Sequence, residues 1–363
     1  MNSFLWVALV PPVVLVLMGI ATKWFFTYGI RKEVIAPVIQ AMEPSQLHSL
    51  YNNTKFLCVG CTSGIGLRAA IAACEAGAFV VVVGRKRPDD LLDSCMAPVE
   101  FMKADLSIMH NVQTVTERIA PYEFNTVLFT VGIVTTPERK VSVEGIEMDT
   151  AVSFLSRFYM ARLLAQSKTL KAPSPTRKPR LFIMGFPGHE GPPQMEDFNW
   201  ENKTNWQPWA AHMNGVIGND ALVEKMAKFH PSINVYGLNP GILKTDIVAN
   251  FLGGKKAWLS KVQQWVVEKL CPSAEEYVNT TLRHLLVTPE IEQLSGSYFN
   301  QFGERIKGAV WLRTEGNTDK ILSAAGKLVN RAMEYKKAIL SNIMLYKYVK
   351  GRMSGEVELV SKS

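Results

Sequence analysis

Cysteine is scarce in this chain. Its 363 residues include five cysteines, an odd number without the spacing of a disulfide framework. This excludes a small disulfide-stapled secreted domain and favours a reducing compartment with free thiols. Cys58 and Cys61 have CxxC spacing, but they lie in an apolar run and the glycine turn that follows it. We therefore interpret them as packing residues and predict no metal site.

Most of the chain has little net positive charge. The formal net charge is +8, yet eight Lys or Arg and one acidic residue lie within residues 320–352. The remainder is nearly neutral, which excludes a nucleic-acid-binding core and indicates a local basic surface. Apolar residues recur there at helical spacing: Ile321, Ala325, Leu328, Ala332 and Ile339. We predict a basic amphipathic extension over 311–363, either on an anionic bilayer or partner subunit, or folded back on its own domain.

Long uncharged apolar runs are confined to the N-terminus. Residues 4–22 carry no charge, and Lys23, Arg31 and Lys32 follow. About 20 apolar residues can span a bilayer core, and flanking cations favour the cytosolic side. We therefore predict a membrane anchor at 1–32 and a connector at 33–54, in the endoplasmic reticulum or mitochondrial membrane, with the domain on the cytosolic or equivalent reducing side. Pro11-Pro12 would kink a helix, so a shallow insertion is the alternative to a span.

The most informative pattern covers residues 55–87. An apolar run at 56–59 leads into a glycine turn, an alanine-rich helical segment at 67–76 and a mostly β-branched run at 79–83. Such a turn presents backbone N–H groups at a helix N-terminus, where a pyrophosphate is favoured. We predict an α/β fold over 55–310, a Rossmann-type doubly wound parallel sheet flanked by helices. Further strands are predicted at 99–103, 126–132, 180–184, 233–238 and 294–299.

The turn Gly60-Cys61-Thr62-Ser63-Gly64-Ile65-Gly66 resembles the TGxxxGIG motif of the short-chain dehydrogenase/reductase family, with Val59 in place of the leading Thr. Asp197-Phe198-Asn199-Trp200-Glu201 resembles a loop of the retinol-dehydrogenase-like branch. The resemblance extends from about residue 55 to 302 and implies a dinucleotide site. It assigns cofactor contacts to Gly60, Thr62, Ser63, Gly64, Ile65, Gly66, Asp105, Leu106, Gly132, Pro240, Gly241, Ile242 and Thr245.

Within this resemblance, Asp105 and Leu106 meet the adenine ring, although Asp105 also fits a helix cap. The segment from Pro240 to Thr245 matches PGxxxT and approaches the nicotinamide. Gly132 is the one residue kept from the family's LVNNAG strand end.

The end of the second strand bears on the choice of dinucleotide. NAD-preferring sites usually have a carboxylate there, whereas this chain has Gly84-Arg85-Lys86-Arg87. A guanidinium suits a ribose 2′-phosphate because it is planar and permanently charged. We therefore predict NADP(H), bound through Arg85. The alternative is a solvated basic turn.

The family's catalytic tetrad has no counterpart here. By resemblance, a Tyr donates a proton, a Lys lowers its pKa, a Ser polarises the substrate oxygen and an Asn holds a water relay. The matching positions are Gly215 for Tyr, Asn219 for Lys, Gly185-Phe186 for Ser and Ser153 for Asn. No Ser occurs from residue 175 to 231 and no Tyr from 185 to 230, so a shift in register restores neither.

These observations predict a membrane-anchored, catalytically degenerate short-chain dehydrogenase-like protein. It would keep an NADP(H) site and act as a nucleotide-binding or structural subunit. We predict contacts with membrane lipid and with a protein partner, either in a membrane assembly or in a homo-oligomer. We predict no binding of nucleic acid. One alternative is an active NADP-dependent oxidoreductase of a lipophilic carbonyl or alcohol, with His212 or a bound water as proton donor. Another is an empty fold used only for interaction.

Overall fold

The structure is a computed structural model that describes residues 36–37, 40–95, 98–134, 137–241, 243 and 272–353. For residues 36–37, 92–94 and 336–353 only the backbone is described. The predicted membrane segment, residues 1–32, lies outside the described residues. So do Ile242 and Thr245 of the predicted cofactor site.

The described strands form one nine-stranded sheet in the order β1-β9-β8-β7-β6-β5-β2-β3-β4. The strands are β1 Ala36–Pro37, β2 Lys55–Val59, β3 Phe79–Gly84, β4 Val99–Lys103, β5 Thr126–Phe129, β6 Arg180–Met184, β7 Asn234–Leu238, β8 Tyr298–Phe299 and β9 Glu304–Ile306. Neighbours from β4 through β8 pair in parallel, whereas β9 and β1 add antiparallel pairs at one edge.

Helices connect these strands on both sides of the sheet. The α-helices are α1 Pro44–Tyr51, α2 Gly64–Glu75, α3 Asp89–Ser94, α4 Met109–Ile119, α5 Ser156–Gln166, α6 Pro208–Phe229, α7 Ala274–Tyr277, α8 Arg283–Leu285 and α9 Asn317–Met353. π-helical turns Thr150–Leu155 and Val278–Leu282 lead into α5 and α8. Short 3-10 turns cover Ala120–Tyr122, Lys203–Asn205, Pro289–Ile291 and Val310–Arg313.

Two hydrophobic clusters cover the two faces of the sheet. Side chains alternate between the faces along each strand. In β3, for example, Val81 and Val83 join the cluster of α4, α5, α6 and α9. Val80 and Val82 join the cluster of α1, α2, α7 and α8. The predicted Rossmann-type parallel sheet with flanking helices is therefore confirmed.

Two predicted strands are shorter in the structure. The strand expected at 126–132 ends at Phe129, because the N–H groups of Thr130 and Val131 both donate to the carbonyl of Val59 at 2.9 Å. The strand expected at 294–299 consists of Tyr298–Phe299 alone, since turns occupy the residues before it. The edge strands β1 and β9 were not predicted, because two or three residues show no periodicity.

The C-terminal helix α9 packs against the sheet domain in its first half. Ile321, Ala325, Leu328 and Ala332 are buried beside α4 and α6, as their spacing predicted, whereas the side chain of Ile339 is not described. The guanidinium of Arg331 pairs with Glu201 and donates to the carbonyl of Gly145 at 3.3 Å. Of the two predicted placements, this is the helix folded back on its own domain.

The described ranges contain no helix that is long and apolar enough to cross a membrane. This finding contradicts the predicted localisation at a membrane with a single N-terminal anchor. The prediction was based on the uncharged run at residues 4–22.

Candidate functional site

The glycine turn lies at the carboxyl end of β2 and leads into α2. Gly60 has φ +88°, and a Cβ there would lie 2.3 Å from Cα of Val131. A Cβ on Gly66 would lie 2.4 Å from Oγ1 of Thr130. Both positions require glycine, because the turn packs directly against the chain leaving β5. Gly64, with φ +56°, has no neighbour within 4 Å of a Cβ and faces open space.

The N-terminus of α2 has no acidic residue in its first turn. Its N-cap, Ser63, is exposed, and its side chain makes no capping hydrogen bond. The first N–H groups of a helix have no intrahelical acceptor, and their partial positive charge favours an anion. The turn therefore fits the phosphates of a dinucleotide. Thr62 and Ile65, also assigned to this site, are half-buried at the same turn.

Four cysteines form two disulfides in the structure, whereas the sequence predicted free thiols. Disulfides join Cys58 to Cys61 and Cys74 to Cys95, with Cα–Cα distances of 5.6 and 6.0 Å, which are ordinary for such bonds. Their pairing depends on how β2, the turn and α2 fold together, which spacing alone did not indicate. Cys58 and Cys61 are fully buried, in agreement with the packing role predicted for them.

Arg85 is exposed just beyond β3, on the side of the turn where the predicted 2′-phosphate would lie. Among the described residues it has no carboxylate partner. Its neighbour Arg87, in contrast, pairs with Asp89 at 3.3 Å. Thr62 packs on the end of the same strand, since a Cβ on Gly84 would lie 2.5 Å from its Cγ2.

Asp105 is exposed beyond β4, where its Oδ1 accepts hydrogen bonds from the backbone N–H and hydroxyl of Ser107 at 3.0 and 2.8 Å. It is not the cap of α4. The carboxylate of Glu144 caps that helix, accepting the N–H of Met109 at 2.6 Å and that of His110 at 3.3 Å. The prediction of Asp105 as the cap was wrong, because the residue that caps the helix, Glu144, lies 35 residues after Met109 in the chain. Leu106 is buried in the core.

The far end of the site is described in part. Gly241 has φ +67°, and its N–H donates to Oδ1 of Asn239 at 2.9 Å, which shapes the turn after β7. Pro240 is half-buried in this turn, and Gly132 is half-buried after β5.

Three of the tetrad positions are linked by hydrogen bonds. Nδ2 of Asn219 donates to the carbonyl of Ser153 at 3.0 Å and to that of Gly215 at 2.9 Å. The hydroxyl of Ser153 bonds both backbone groups of Ile133. Asn219 and Ser153 thus hold α6 and the residues after β5 in place with neutral groups.

A buried cation, Arg157, lies beside the fourth tetrad position. Its side chain is 4% exposed, and its Nε and Nη1 donate to the carbonyls of Val131 at 2.9 Å and Met184 at 2.5 Å. A Cβ on Gly132 would lie 3.1 Å from Nη2, and one on Gly185 would lie 4.0 Å from Nη1. Burial lowers the pKa of Arg157 to about 10, and Asp149 opposes this shift. In the sequence, the signal for this residue is a cation within a largely apolar helical stretch.

An acid–base pair lies on the same side of the sheet. Nδ1 of His212, in α6, is 2.7 Å from Oδ2 of Asp149, whose side chain is 2% exposed. The carboxylate of Glu147 accepts the N–H groups of Asp149 at 3.0 Å and Thr150 at 2.7 Å, fixing the start of this helical segment. Trp209 is 46% exposed, with its ring 5.8 Å from that of His212. The sequence had singled out His212, but its partner is distant in the chain.

A parallel sheet with a tight glycine turn between its central strand and the next helix defines a Rossmann-type dinucleotide-binding fold. The chain is 32% identical over 287 residues to the uncharacterised oxidoreductase YKL107W of Saccharomyces cerevisiae, a match covering 78% of this chain and 90% of that protein. The chain belongs to the family of short-chain dehydrogenase/reductase-like oxidoreductases. No protein-family model matches it.

Solved structures share the fold at lower sequence identity. An uncharacterised protein from Mycobacterium paratuberculosis superposes with a TM-score of 0.59 at 16% identity, covering 80% of this chain and 98% of that one. A short-chain dehydrogenase from Escherichia coli CFT073, solved with NADPH, has a TM-score of 0.52 at 16% identity, covering 70% and 98%. At this identity, the likeness concerns the fold alone.

Proposed function

We propose that this chain binds NADP(H) at the glycine turn. The observation that carries the proposal is the conformation of Gly60, whose positive φ and missing Cβ bring the turn against Val131, just before the uncapped start of α2. The NADPH in the related Escherichia coli structure supports the same choice of cofactor. The residues proposed to hold it are Gly60, Thr62, Ser63, Gly64, Ile65, Gly66, Arg85, Asp105, Leu106, Gly132, Pro240, Gly241, Ile242 and Thr245.

Arg85 selects the phosphorylated dinucleotide in this proposal. It is exposed beside the turn and lacks a carboxylate partner among the described residues, so its charge is available to a 2′-phosphate. Charge-assisted hydrogen bonds of this kind contribute about 1.5–3 kcal/mol, or roughly 10- to 100-fold in affinity.

We further propose that the family's usual catalysis is lost, so that the protein is a nucleotide-binding or structural subunit. Gly185, Gly215 and Asn219 offer no hydroxyl and no ammonium, and the amide of Asn219 is engaged with backbone carbonyls. The loop at 197–201 is the basis for proposing the retinol-dehydrogenase-like branch.

Calorimetric titration of the purified full chain with NADPH and NADH tests the cofactor proposal. We expect NADPH to bind at least 10-fold more tightly, and Arg85→Ala to remove that preference. Arg87→Ala is the matched control. Because Arg87 is already paired with Asp89, its replacement should change the ratio of the NADPH and NADH affinities less than threefold. Failure of the wild-type chain to bind either nucleotide would sink the proposal.

A second candidate function rests on the pair formed by His212 and Asp149. Reduction of a carbonyl requires a hydride, which NADPH supplies when bound, and a proton. With Nδ1 held by Asp149, His212 can hold that proton on Nε2, as imidazoles do in general acid–base catalysis. The exposed indole of Trp209 beside it favours an apolar substrate. The candidate is an NADP-dependent oxidoreductase of a lipophilic carbonyl or alcohol.

Activity assays separate the two candidates. NADPH oxidation would be followed with retinal, ketosteroid and long-chain ketone substrates. The oxidoreductase is supported if turnover falls at least 100-fold in His212→Gln and in Asp149→Asn. Turnover should be unchanged in the control His48→Gln, which replaces an exposed histidine. No turnover by a wild-type chain that binds NADPH supports the loss of catalysis.

A further inference from the structure

We propose that Arg157 is a ligand-binding residue, which donates hydrogen bonds to the nicotinamide–ribose half of the dinucleotide. This inference rests on the proposed NADP(H) site and extends it to a residue outside every motif of the sequence.

The topology of the sheet places that half of the ligand. Ligands of doubly wound sheets lie beyond the carboxyl ends of the strands. The glycine turn is at the end of β2, and Arg85 is at the end of β3, which lies to one side of β2 in the sheet order. A dinucleotide with its pyrophosphate at the turn and its 2′-phosphate at Arg85 must extend its other half in the opposite direction. That direction leads across the ends of β5 and β6.

Arg157 occupies the floor of this region. Its guanidinium donates to the carbonyl of Val131, two residues after β5, and to that of Met184, the last residue of β6. It therefore lies directly under the expected path of the ligand, held by the backbone at both strand ends. A cation fixed in this way needs little reordering when a ligand arrives.

The guanidinium also has hydrogen-bonding capacity left. It carries five N–H donors. Three bonds to backbone carbonyls are formed with the described residues, by Nε, Nη1 and Nη2. Two N–H groups thus remain for acceptors of a ligand, and ribose hydroxyls and a carboxamide oxygen are of the right chemistry.

Two glycines beside Arg157 leave its guanidinium without a covering side chain at those positions, although the residue as a whole is only 4% exposed. At Gly132 a methyl group would lie 3.1 Å from Nη2, and at Gly185 it would lie 4.0 Å from Nη1. A side chain at Gly132 would therefore crowd Nη2, one of the two terminal nitrogens of the guanidinium. Because Asn219 is uncharged, the fixed positive charge near the tetrad positions is supplied from α5, by Arg157. Burial lowers the pKa of Arg157 only to about 10, so the group stays charged at neutral pH.

The test compares the whole ligand with its adenosine half. Calorimetry on the full chain would use NADPH and adenosine 2′,5′-bisphosphate, which lacks the nicotinamide riboside and the phosphate attached to it. We expect Arg157→Lys to weaken NADPH binding about 10- to 100-fold while the bisphosphate changes less than twofold. The matched control is Arg162→Lys, an exposed arginine of the same helix, which should change neither affinity.

A second variant avoids removing the buried cation. Gly132→Ala keeps Arg157 and places a methyl group 3.1 Å from Nη2, so it should also weaken NADPH binding selectively. Equal weakening of both ligands would show that Arg157 only supports the fold, and unchanged NADPH binding in both variants would likewise overturn the inference. Absence of binding by the wild-type chain would instead reject the proposed function itself, and this inference with it.

Discussion

Nδ1 of His212 lies 2.7 Å from Oδ2 of Asp149, and this contact joins α6 to the helical segment that leads into α5. The carboxylate is almost fully buried, and the imidazole is 18% exposed. His212 is one helical turn before Gly215, so the two residues lie on the same face of α6. The described residues thus include an imidazole held by a carboxylate beside Gly215, the position that the sequence resemblance matches to the family's tyrosine.

The glycine turn should respond very differently to alanine at its two positive-φ positions. Gly60→Ala combines left-handed backbone strain with a methyl group 2.3 Å from the Cα of Val131, so we expect a loss of about 2–5 kcal/mol in the free energy of unfolding. Gly64→Ala is the control, because it adds backbone strain without a close contact. It should lower the free energy of unfolding by about 1–2 kcal/mol. Urea denaturation measures both. Equal losses would contradict the close packing of the turn on Val131.

Alanine should have opposite effects on stability at two glycines of α6 that lie near Phe154. A Cβ on Gly215 would lie 3.5 Å from that of Phe154, an ordinary contact, so Gly215→Ala should stabilise the fold by about 0.5–1 kcal/mol through helix propensity. A Cβ on Gly218 would lie 2.5 Å from the buried ring of Phe154. Gly218→Ala should therefore destabilise by about 1–3 kcal/mol. Thermal unfolding of both variants checks the sign; stabilisation by both would show that α6 packs less closely than described.

Asp220 should make stability fall as the pH rises. Burial raises its pKa from 3.8 to about 7, although the N–H groups of Gly188 and Ala309 both donate to its Oδ2 and oppose this shift. Between pH 4 and 7 the folded chain therefore binds more protons than the unfolded chain. Stability from this group is complete below about pH 4 and is lost as the pH approaches 7.

Asp220→Asn removes this titration and keeps an oxygen acceptor. We expect the variant to gain about 3 kcal/mol of stability relative to the wild type between pH 5 and pH 8. Urea denaturation at both pH values measures the difference, with the exposed Asp89→Asn as control. A difference between variant and wild type that is the same at both pH values would contradict the raised pKa.

Helix α9 should contribute to the stability of the sheet domain. Ile321 is fully buried, so Ile321→Ala should cost about 2–4 kcal/mol. Lys320→Ala, at the exposed neighbouring position, should change stability by less than about 0.5 kcal/mol. Chemical denaturation of the full chain measures both changes. A small effect of Ile321→Ala would mean that α9 is not packed as described.

The sequence predicted elements whose signals are local. Strands β4 and β6 agree with the prediction to the residue, because each is a short run bounded by turn residues. The cap of α4 by Glu144 and the partner of His212 could not be predicted, since both depend on contacts between distant segments. The same holds for Arg157, whose proposed role is inferred from the carbonyl groups around it. Edge strand β1 becomes recognisable only when β9 is in place.

The carbonyl of Val59 accepts the N–H groups of both Thr130 and Val131. The family's asparagines are missing at this strand end, yet these two main-chain bonds still hold the residues after β5 against the glycine turn, and Oγ1 of Thr130 donates to the same carbonyl at 3.3 Å. Any residue other than proline can supply those donors. The main-chain part of this frame around the proposed nucleotide site therefore does not depend on the family's asparagines. A chain can lose those two side chains and still keep the strand end hydrogen-bonded to the carbonyl of Val59.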